Sequence, residues 1–197
     1  MTDPDVVAAV VPVLDALTAL GVRHFIGGSL ASSAHGLARA SIDADVVAEL
    51  RPEHAAPLVA ALSGAYYVAE DRVRDAIARR RSFNAIHLDS MLKIDVFVSK
   101  DRPFDRRAME RAQRLSTGAA EGRALPFSSA EDVVLAKLEW YRRGGEVSER
   151  QWSDVLGVLR ACVGSIDRAY LSSSALELRV DDLLARASSE AAEADTQ

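Results

Sequence analysis

Three aspartates in strand-like segments are the residues of this chain best suited to metal-dependent chemistry. Asp43 and Asp45 lie one residue apart in the run DADVVAEL, and Asp95 lies in the run LKIDVFVS. Because side chains alternate between the two faces of a strand, Asp43 and Asp45 share one face, and Asp95 lies opposite the apolar face of its own strand. Magnesium accepts carboxylate oxygens and keeps waters or substrate phosphates as its other ligands. If the two strands are neighbours, the sequence predicts a site for one or two magnesium ions.

Such a pair of ions, about 3.5–4 Å apart, stabilises both the attacking and the leaving oxygen in phosphoryl transfer. In this interpretation Asp43 and Asp45 hold the metal that carries a triphosphate. Asp95 completes the second metal site and helps to activate the incoming hydroxyl. Taken singly, an Asp-x-Asp motif is common and a lone strand aspartate is usually solvated, so the prediction depends on the combination.

A glycine pair, Gly27 and Gly28, precedes a run of small residues that is compatible with a helix. Gly28 allows the backbone to approach a phosphate closely, and Ser29 adds a hydroxyl donor. The N-terminus of the following helix favours anions. The alternative is an ordinary turn, which is the commoner role of a glycine pair. The order of glycine pair, helix and aspartates favours a phosphate-binding function.

Composition limits the classes of protein to which the chain can belong. It has 197 residues, 49% of them hydrophobic, a net charge of −5 and a pI near 5.4. This argues against a surface that binds nucleic acid throughout, but not against a local basic patch. The single cysteine, Cys162, excludes an internal disulfide. We find no basic leader and no apolar run of about 20 residues, so we expect a cytoplasmic protein without a membrane span.

Strand and helix signals are mixed up to about Pro126, and every later segment is helix-like. We therefore expect an α/β (α+β) fold, with a mixed, twisted sheet in residues 1–126 and a helical domain in residues 127–197. The predicted strands lie at 24–26, 44–50, 66–69, FNAIHL, LKIDVFVS and near Leu115 and Leu125. The predicted helices lie at 4–20, 29–35, 52–62, from Asp71, 104–114, 128–143, 148–161 and once or twice beyond.

These motifs resemble the nucleotidyltransferases of the DNA polymerase beta-type superfamily, and most closely the bacterial abortive-infection and toxin–antitoxin nucleotidyltransferases. The family pattern is a glycine pair, a small residue in a short helix, an arginine, a Ser or Thr, Asp-x-Asp, and a third aspartate between hydrophobic residues. This chain supplies that pattern as Gly27, Gly28, Ser29, Ala31, Arg39, Ser41, Asp43, Asp45 and Asp95. The resemblance covers roughly residues 5 to 160.

The resemblance implies a magnesium-dependent enzyme with two ions, which moves a nucleoside monophosphate from an NTP, such as ATP, to a hydroxyl of a tRNA 3′ end or a protein. It implies nucleotide contacts from Gly28, Ser29 and Arg39, although Arg39 alone is equally well explained as a surface residue. A toxin would also have a cognate antitoxin.

The helical tail of the family carries a lysine and an aspartate, which Lys137 and Asp154 match here. Lys137 lies on an otherwise apolar helix face, so it either snorkels to solvent or reaches back to contact a triphosphate. The family's Lys-Asp pair before that aspartate reads Arg150-Gln151 in this chain. That departure keeps open a non-catalytic relative that serves as a binding or interaction module.

Two groups of arginines have two interpretations, namely solvated helix faces or an electropositive rim for RNA or nucleotide phosphates. They are Arg72, Arg74, Arg79, Arg80 and Arg81, and then Arg102, Arg106, Arg107, Arg111 and Arg114. A nucleotide-binding dehydrogenase is excluded because IGGSLASSAHG lacks the GxGxxG spacing.

Overall fold

The computed structural model describes residues 4–36, 43–116 and 122–194. Within these ranges strands and helices are interspersed up to Phe127, and the elements from Ala130 onward are helices. The strands are β1 His24–Ile26, β2 Asp43–Ala48, β3 Tyr66–Tyr67, β4 Ser82–His87, β5 Lys93–Val98, β6 Gln113–Ser116 and β7 Ala124–Phe127. The helices are α1 Pro4–Ala19, α2 Gly28–His35, α3 Ala55–Leu62, α4 Glu70–Arg79, α5 Pro103–Glu110, α6 Ala130–Arg143, α7 Glu149–Ala161, α8 Arg168–Leu178 and α9 Asp181–Ala194, with a 3₁₀ turn at Pro52–His54.

The described strands form one mixed sheet in the order β3-β4-β5-β2-β1-β7-β6. β2 and β5 are central and parallel, and β1 pairs antiparallel with the other edge of β2. The register places Asp45 opposite Asp95 and Asp43 opposite Lys93. The two aspartate-bearing strands are therefore neighbours, which is the condition that the sequence prediction required.

Alternation along the central strands separates a core face from a polar face. In β2 the residues Ala44, Val46 and Ala48 are buried, whereas Asp43 and Asp45 are partly exposed. The same alternation in β5 buries its isoleucine and valines and leaves Asp95 on the polar face. The carboxylates of both strands thus emerge on one face of the sheet.

The C-terminal helices pack on one another and on α2. Contacts join α6 to α7 and α8, α7 to α9, and α2 to both α6 and α7. Ser129 caps α6 by accepting a hydrogen bond from the Asp132 backbone N–H, at the start of the helix that the sequence predicted over residues 128–143. The predicted fold class, a mixed sheet followed by a helical C-terminal region, is confirmed.

The structure differs from the sequence prediction at the end of one helix. The helix expected over residues 104–114 ends at Glu110, because Gln113–Ser116 instead pairs antiparallel with β7 at the edge of the sheet. The predicted first helix is unbroken, with Pro12 inside α1 on its exposed side. Among the described residues no helix is long and apolar enough to span a bilayer.

Candidate active site

Asp43 and Asp45 line a cavity of about 720 Å³ between the polar face of the sheet and helices α6 and α7. From the sheet side the cavity also receives Gly28 and Ser29, at the start of α2. From the helices it receives Lys137 and residues of α7. The structure thus brings the Asp-x-Asp motif, the glycine-serine turn and the tail lysine to one cavity.

Gly28 is a glycine because the Asp45 carboxylate occupies the space where a side chain would lie. Gly28 has a φ of +55°, and a Cβ built there would come within 1.6 Å of Asp45 Oδ2 and 2.8 Å of Asp45 Cβ. The Ser29 backbone N–H donates a hydrogen bond to that carboxylate. The anion at the N-terminus of α2 is therefore the protein's own Asp45 carboxylate, so the glycine turn is in direct contact with the Asp-x-Asp motif.

Electrostatics make Asp45 a carboxylate that a cation would stabilise. Burial, followed by the charge of Asp95, raises the pKa of Asp45 above its ordinary value, and Asp43 adds to the rise. Lys137 and the Ser29 N–H act in the opposite direction but do not cancel it. A desolvated oxygen ligand with like-charged neighbours fits a divalent cation with a preference for oxygen.

Asp95 is held by Lys93, two residues away on the same face of β5. The Lys93 ammonium lies 2.9 Å from Asp95 Oδ2, and its attraction to Asp95, Asp43 and Asp45 raises the pKa of Lys93. Asp95 is not among the residues that line the cavity. Within the described ranges, no three His, Cys, Asp or Glu side chains are gathered into a cation site. The donor chemistry fits magnesium, and Lys93 supplies a positive charge beside it.

Lys137 forms an ion pair with Asp154 of α7, with Lys137 Nζ 2.7 Å from Asp154 Oδ2. The two side chains are only 11% and 8% exposed, and both line the cavity. Lys137 thus points into the cavity and does not snorkel to bulk solvent. Its charge also acts on the Asp45 carboxyl group.

The remaining predicted residues differ in where the structure places them. Arg39 and Ser41 lie outside the described residues. Several arginines of the two clusters form ion pairs with acidic neighbours, among them Arg74, Arg79, Arg106 and Arg107. Three arginines line the cavity, namely Arg80, Arg81 and Arg102, and Arg102 is also ion-paired with Asp105 and Glu139.

Two contacts at the site do not follow from the sequence. The first is the ion pair between Lys93 and Asp95 on the polar face of β5. Phe97 and Trp140 meet edge to face across the cavity, with ring centroids 6.3 Å apart. Phe97 could have been singled out from the sequence, since it is an aromatic residue on the polar face of a strand. Its contact with Trp140 could not, because that contact depends on tertiary packing.

No model of a known protein family matches the sequence, and no curated protein matches it. Solved structures do match. The antibiotic-resistance factor ANT(2'')-Ia has a TM-score of 0.54 at 15% identity, covering 96% of this chain and 97% of that protein. An antigenic nucleotidyltransferase-like protein from Paracoccidioides brasiliensis has a TM-score of 0.54 at 16% identity, covering 94% and 93%.

A third match, described as a candidate nucleotidyltransferase from Thermotoga maritima, has a TM-score of 0.51 at 16% identity, covering 78% of this chain and 96% of that one. At such low sequence identity, matches that span most of each chain show a shared fold. The fold is that of the nucleotidyltransferases, as the resemblance of the motifs implied.

Proposed function

We propose that this chain is a magnesium-dependent nucleotidyltransferase that moves a nucleoside monophosphate from an NTP to a hydroxyl acceptor. The observation that carries the proposal is the cavity shared by Asp43, Asp45 and Lys137. Carboxylates for a cation and an ammonium for phosphates face one space that is large enough for a nucleotide. The nucleotidyltransferase fold supports the same conclusion.

In the proposed reaction the acceptor oxygen forms a bond to the α-phosphorus of the NTP, and the bond from that phosphorus to the β-phosphate bridging oxygen breaks. Pyrophosphate leaves, and the proton of the acceptor hydroxyl passes to the Asp95 carboxylate. Asp43, Asp45 and Asp95 would hold magnesium, which neutralises the phosphates and the charge that develops during transfer when it is bound. Lys137 and the Ser29 hydroxyl bind the triphosphate, and Arg39 is proposed as a further nucleotide contact.

The acceptor is proposed to be a tRNA 3′ end or a protein side chain. The resemblance of the motifs to toxin–antitoxin and abortive-infection nucleotidyltransferases supports a cytoplasmic toxin that is neutralised by a cognate antitoxin. Expression of the chain with and without the product of the adjacent gene tests this role. Growth arrest that the neighbour relieves supports it, and equal growth in both cases contradicts it.

The activity itself is tested by incubation with labelled NTPs, magnesium and cellular RNA or protein. Asp43→Asn removes a metal-binding charge while it keeps the shape of the side chain, so label transfer should be lost. Asp89→Asn is the matched control, because Asp89 is an exposed carboxylate in the β4–β5 turn. Equal labelling by the wild type and Asp43→Asn would exclude this site.

The ion pair between Lys93 and Asp95 favours a second candidate, a nucleotidyltransferase-like binding module without catalytic activity. An ammonium beside the third carboxylate competes with a metal for the same charge. Such a module would bind NTP with magnesium but transfer no label to any acceptor. Binding and transfer measured on one preparation therefore separate the two functions.

A further inference from the structure

The cavity presents the same order of chemistry along the sheet and along the helix that faces it. On β5 the residues of the polar face are Asp95, then Phe97, with Lys100 following the strand. On α6 the cavity residues include Lys137, Trp140 and Arg143, which are three residues apart and so lie on neighbouring turns. On both elements the order runs from a charged group near the proposed reaction centre, through an aromatic ring that lines the cavity, to a cation that also lines it. The charged group on β5 is Asp95, which lies next to the cavity lining and is not part of it.

The aromatic part consists of Phe97 and Trp140, which we call the aromatic shelf. Trp140 is 50% exposed, although its ring meets Phe97 edge to face. Exposed tryptophan surface of this kind, inside a cavity, is typical of a site that binds a planar group. Phe97 lies opposite Val47, one alternation beyond the paired aspartates, which is about 6–7 Å along the strands. A reacting phosphate and a ring on the shelf can therefore belong to one nucleotide unit.

The far end of the cavity has more positive than negative charge. Three cations line it, Lys100, Arg102 and Arg143, together with two carboxylates, Asp105 and Glu139. Both carboxylates already form ion pairs with arginines of the protein. Arg102 pairs with Asp105 and Glu139, and Arg143 also pairs with Glu139.

Lys100 takes part in none of the ion pairs formed by the described residues. Burial, followed by the charges of Arg143 and Arg102, lowers the pKa of Lys100, as expected for an ammonium that faces other cations. An anion bound here would relieve that repulsion. A polycationic acceptor would meet repulsion at the same place.

We propose that the aromatic shelf binds a nucleobase and that Lys100 and Arg143 bind a phosphate joined to the same nucleotide unit or to its neighbour. The proposal rests on the proposed function, because it places this base next to the reacting phosphate. Two sources supply this chemistry, the base of the NTP itself or the terminal base of an RNA acceptor. In the second case the acceptor hydroxyl lies at Asp95 and the preceding phosphate lies at the cationic end.

The test measures binding of two probes to the full chain, ATP with magnesium by calorimetry and a 5′-fluorescein-labelled single-stranded RNA tetramer by anisotropy. Trp140→Ala should weaken one or both probes by about 5- to 100-fold, the range found when base stacking on an aromatic residue is removed. Trp140→Phe should keep most of the affinity. Tyr67→Ala is the control for loss of an exposed aromatic residue, because Tyr67 is 64% exposed and lies on the edge strand β3.

The cationic end is tested with a pair of neighbouring arginines. Arg143→Gln should weaken the probe that stacks on Trp140, and its effect should shrink as salt is raised. Arg142→Gln should leave binding unchanged, because Arg142 pairs with Glu146 and Asp182 and does not line the cavity.

The affected probe identifies the source of the base. Weaker ATP binding assigns the shelf to the NTP, and weaker RNA binding assigns it to the acceptor. The proposal is overturned if Trp140→Ala binds both probes like the wild type, or if a serine- and tyrosine-containing peptide needs Trp140 and neither probe does. The proposed function fails separately, if magnesium-dependent ATP binding is the same in the wild type and in Asp43→Asn.

Discussion

Replacing Lys137 by Met removes one charge of a nearly buried ion pair and leaves Asp154 without its cation. Breaking such a pair by losing one partner costs about 3–5 kcal/mol in fully buried sites. Because the side chains of Lys137 and Asp154 are still 11% and 8% exposed to solvent, we expect a loss near the lower limit of that range, about 3 kcal/mol in the free energy of unfolding. For a chain of this size that corresponds to a fall in Tm of roughly 6–12 °C.

Urea denaturation of Lys137→Met, Lys137→Met/Asp154→Leu and the wild type separates stability from phosphate binding. The double variant should recover most of the stability, because an apolar pair replaces a buried ion pair at little cost. It should still bind ATP with magnesium more weakly than the wild type, since the ammonium is missing. Arg142→Met is the surface control and should cost at most about 1 kcal/mol. A loss below about 0.5 kcal/mol in Lys137→Met, or normal ATP affinity in the double variant, would refute this reasoning.

Three further predictions concern the sheet side of the cavity. Gly28→Ala should lower the free energy of unfolding by about 1–2 kcal/mol because of the left-handed backbone alone, which urea denaturation measures. The added methyl group should also displace the Asp45 carboxylate and weaken magnesium binding in a titration. Normal magnesium affinity would contradict the geometry. Lys93→Met should raise magnesium affinity several-fold in calorimetry, because the ammonium no longer competes for the charge of Asp95. The free energy of unfolding should change by about 1 kcal/mol or less. Weaker magnesium binding would mean that Lys93 orients Asp95 for the ion. Asp45→Asn should raise Tm at pH 7, because the pKa of Asp45 is raised by folding and the carboxyl group therefore costs stability as the pH rises through that pKa. The gain should shrink as the pH falls and disappear well below 3.8, where the carboxyl group is protonated in both the folded and the unfolded chain.

Local alternation predicted the face on which each carboxylate lies. The residues of DADVVAEL and of KIDVFV alternate in burial as period-two strands should, so the polar and core faces followed from the sequence alone. The neighbouring, parallel arrangement of β2 and β5 did not follow from alternation, because pairing partners are set by the whole sheet. The sequence analysis left that arrangement as a condition, and the register of Asp45 with Asp95 meets it.

The rest of the site depends on distances that the sequence does not contain. A glycine pair is compatible both with phosphate approach and with an ordinary turn, and only the structure shows that Gly28 makes room for Asp45. Lys137 and Asp154 are 17 positions apart on different helices, so their ion pair reflects the packing of α6 on α7. The end of α5 was placed too late because the pairing of β6 with β7 overrides the local helical signal.

The measurement that tests the central claim most directly compares an NTP labelled at the α-phosphate with the same NTP labelled at the γ-phosphate. Wild-type protein, magnesium and a cellular RNA or protein fraction are incubated with each, and the label is followed in the acceptor and in pyrophosphate. Nucleotidyl transfer predicts that the α-label enters the acceptor, that the γ-label leaves as pyrophosphate, and that Asp43→Asn does neither. Transfer of the γ-label to the acceptor, or equal α-labelling by Asp43→Asn, would contradict the account.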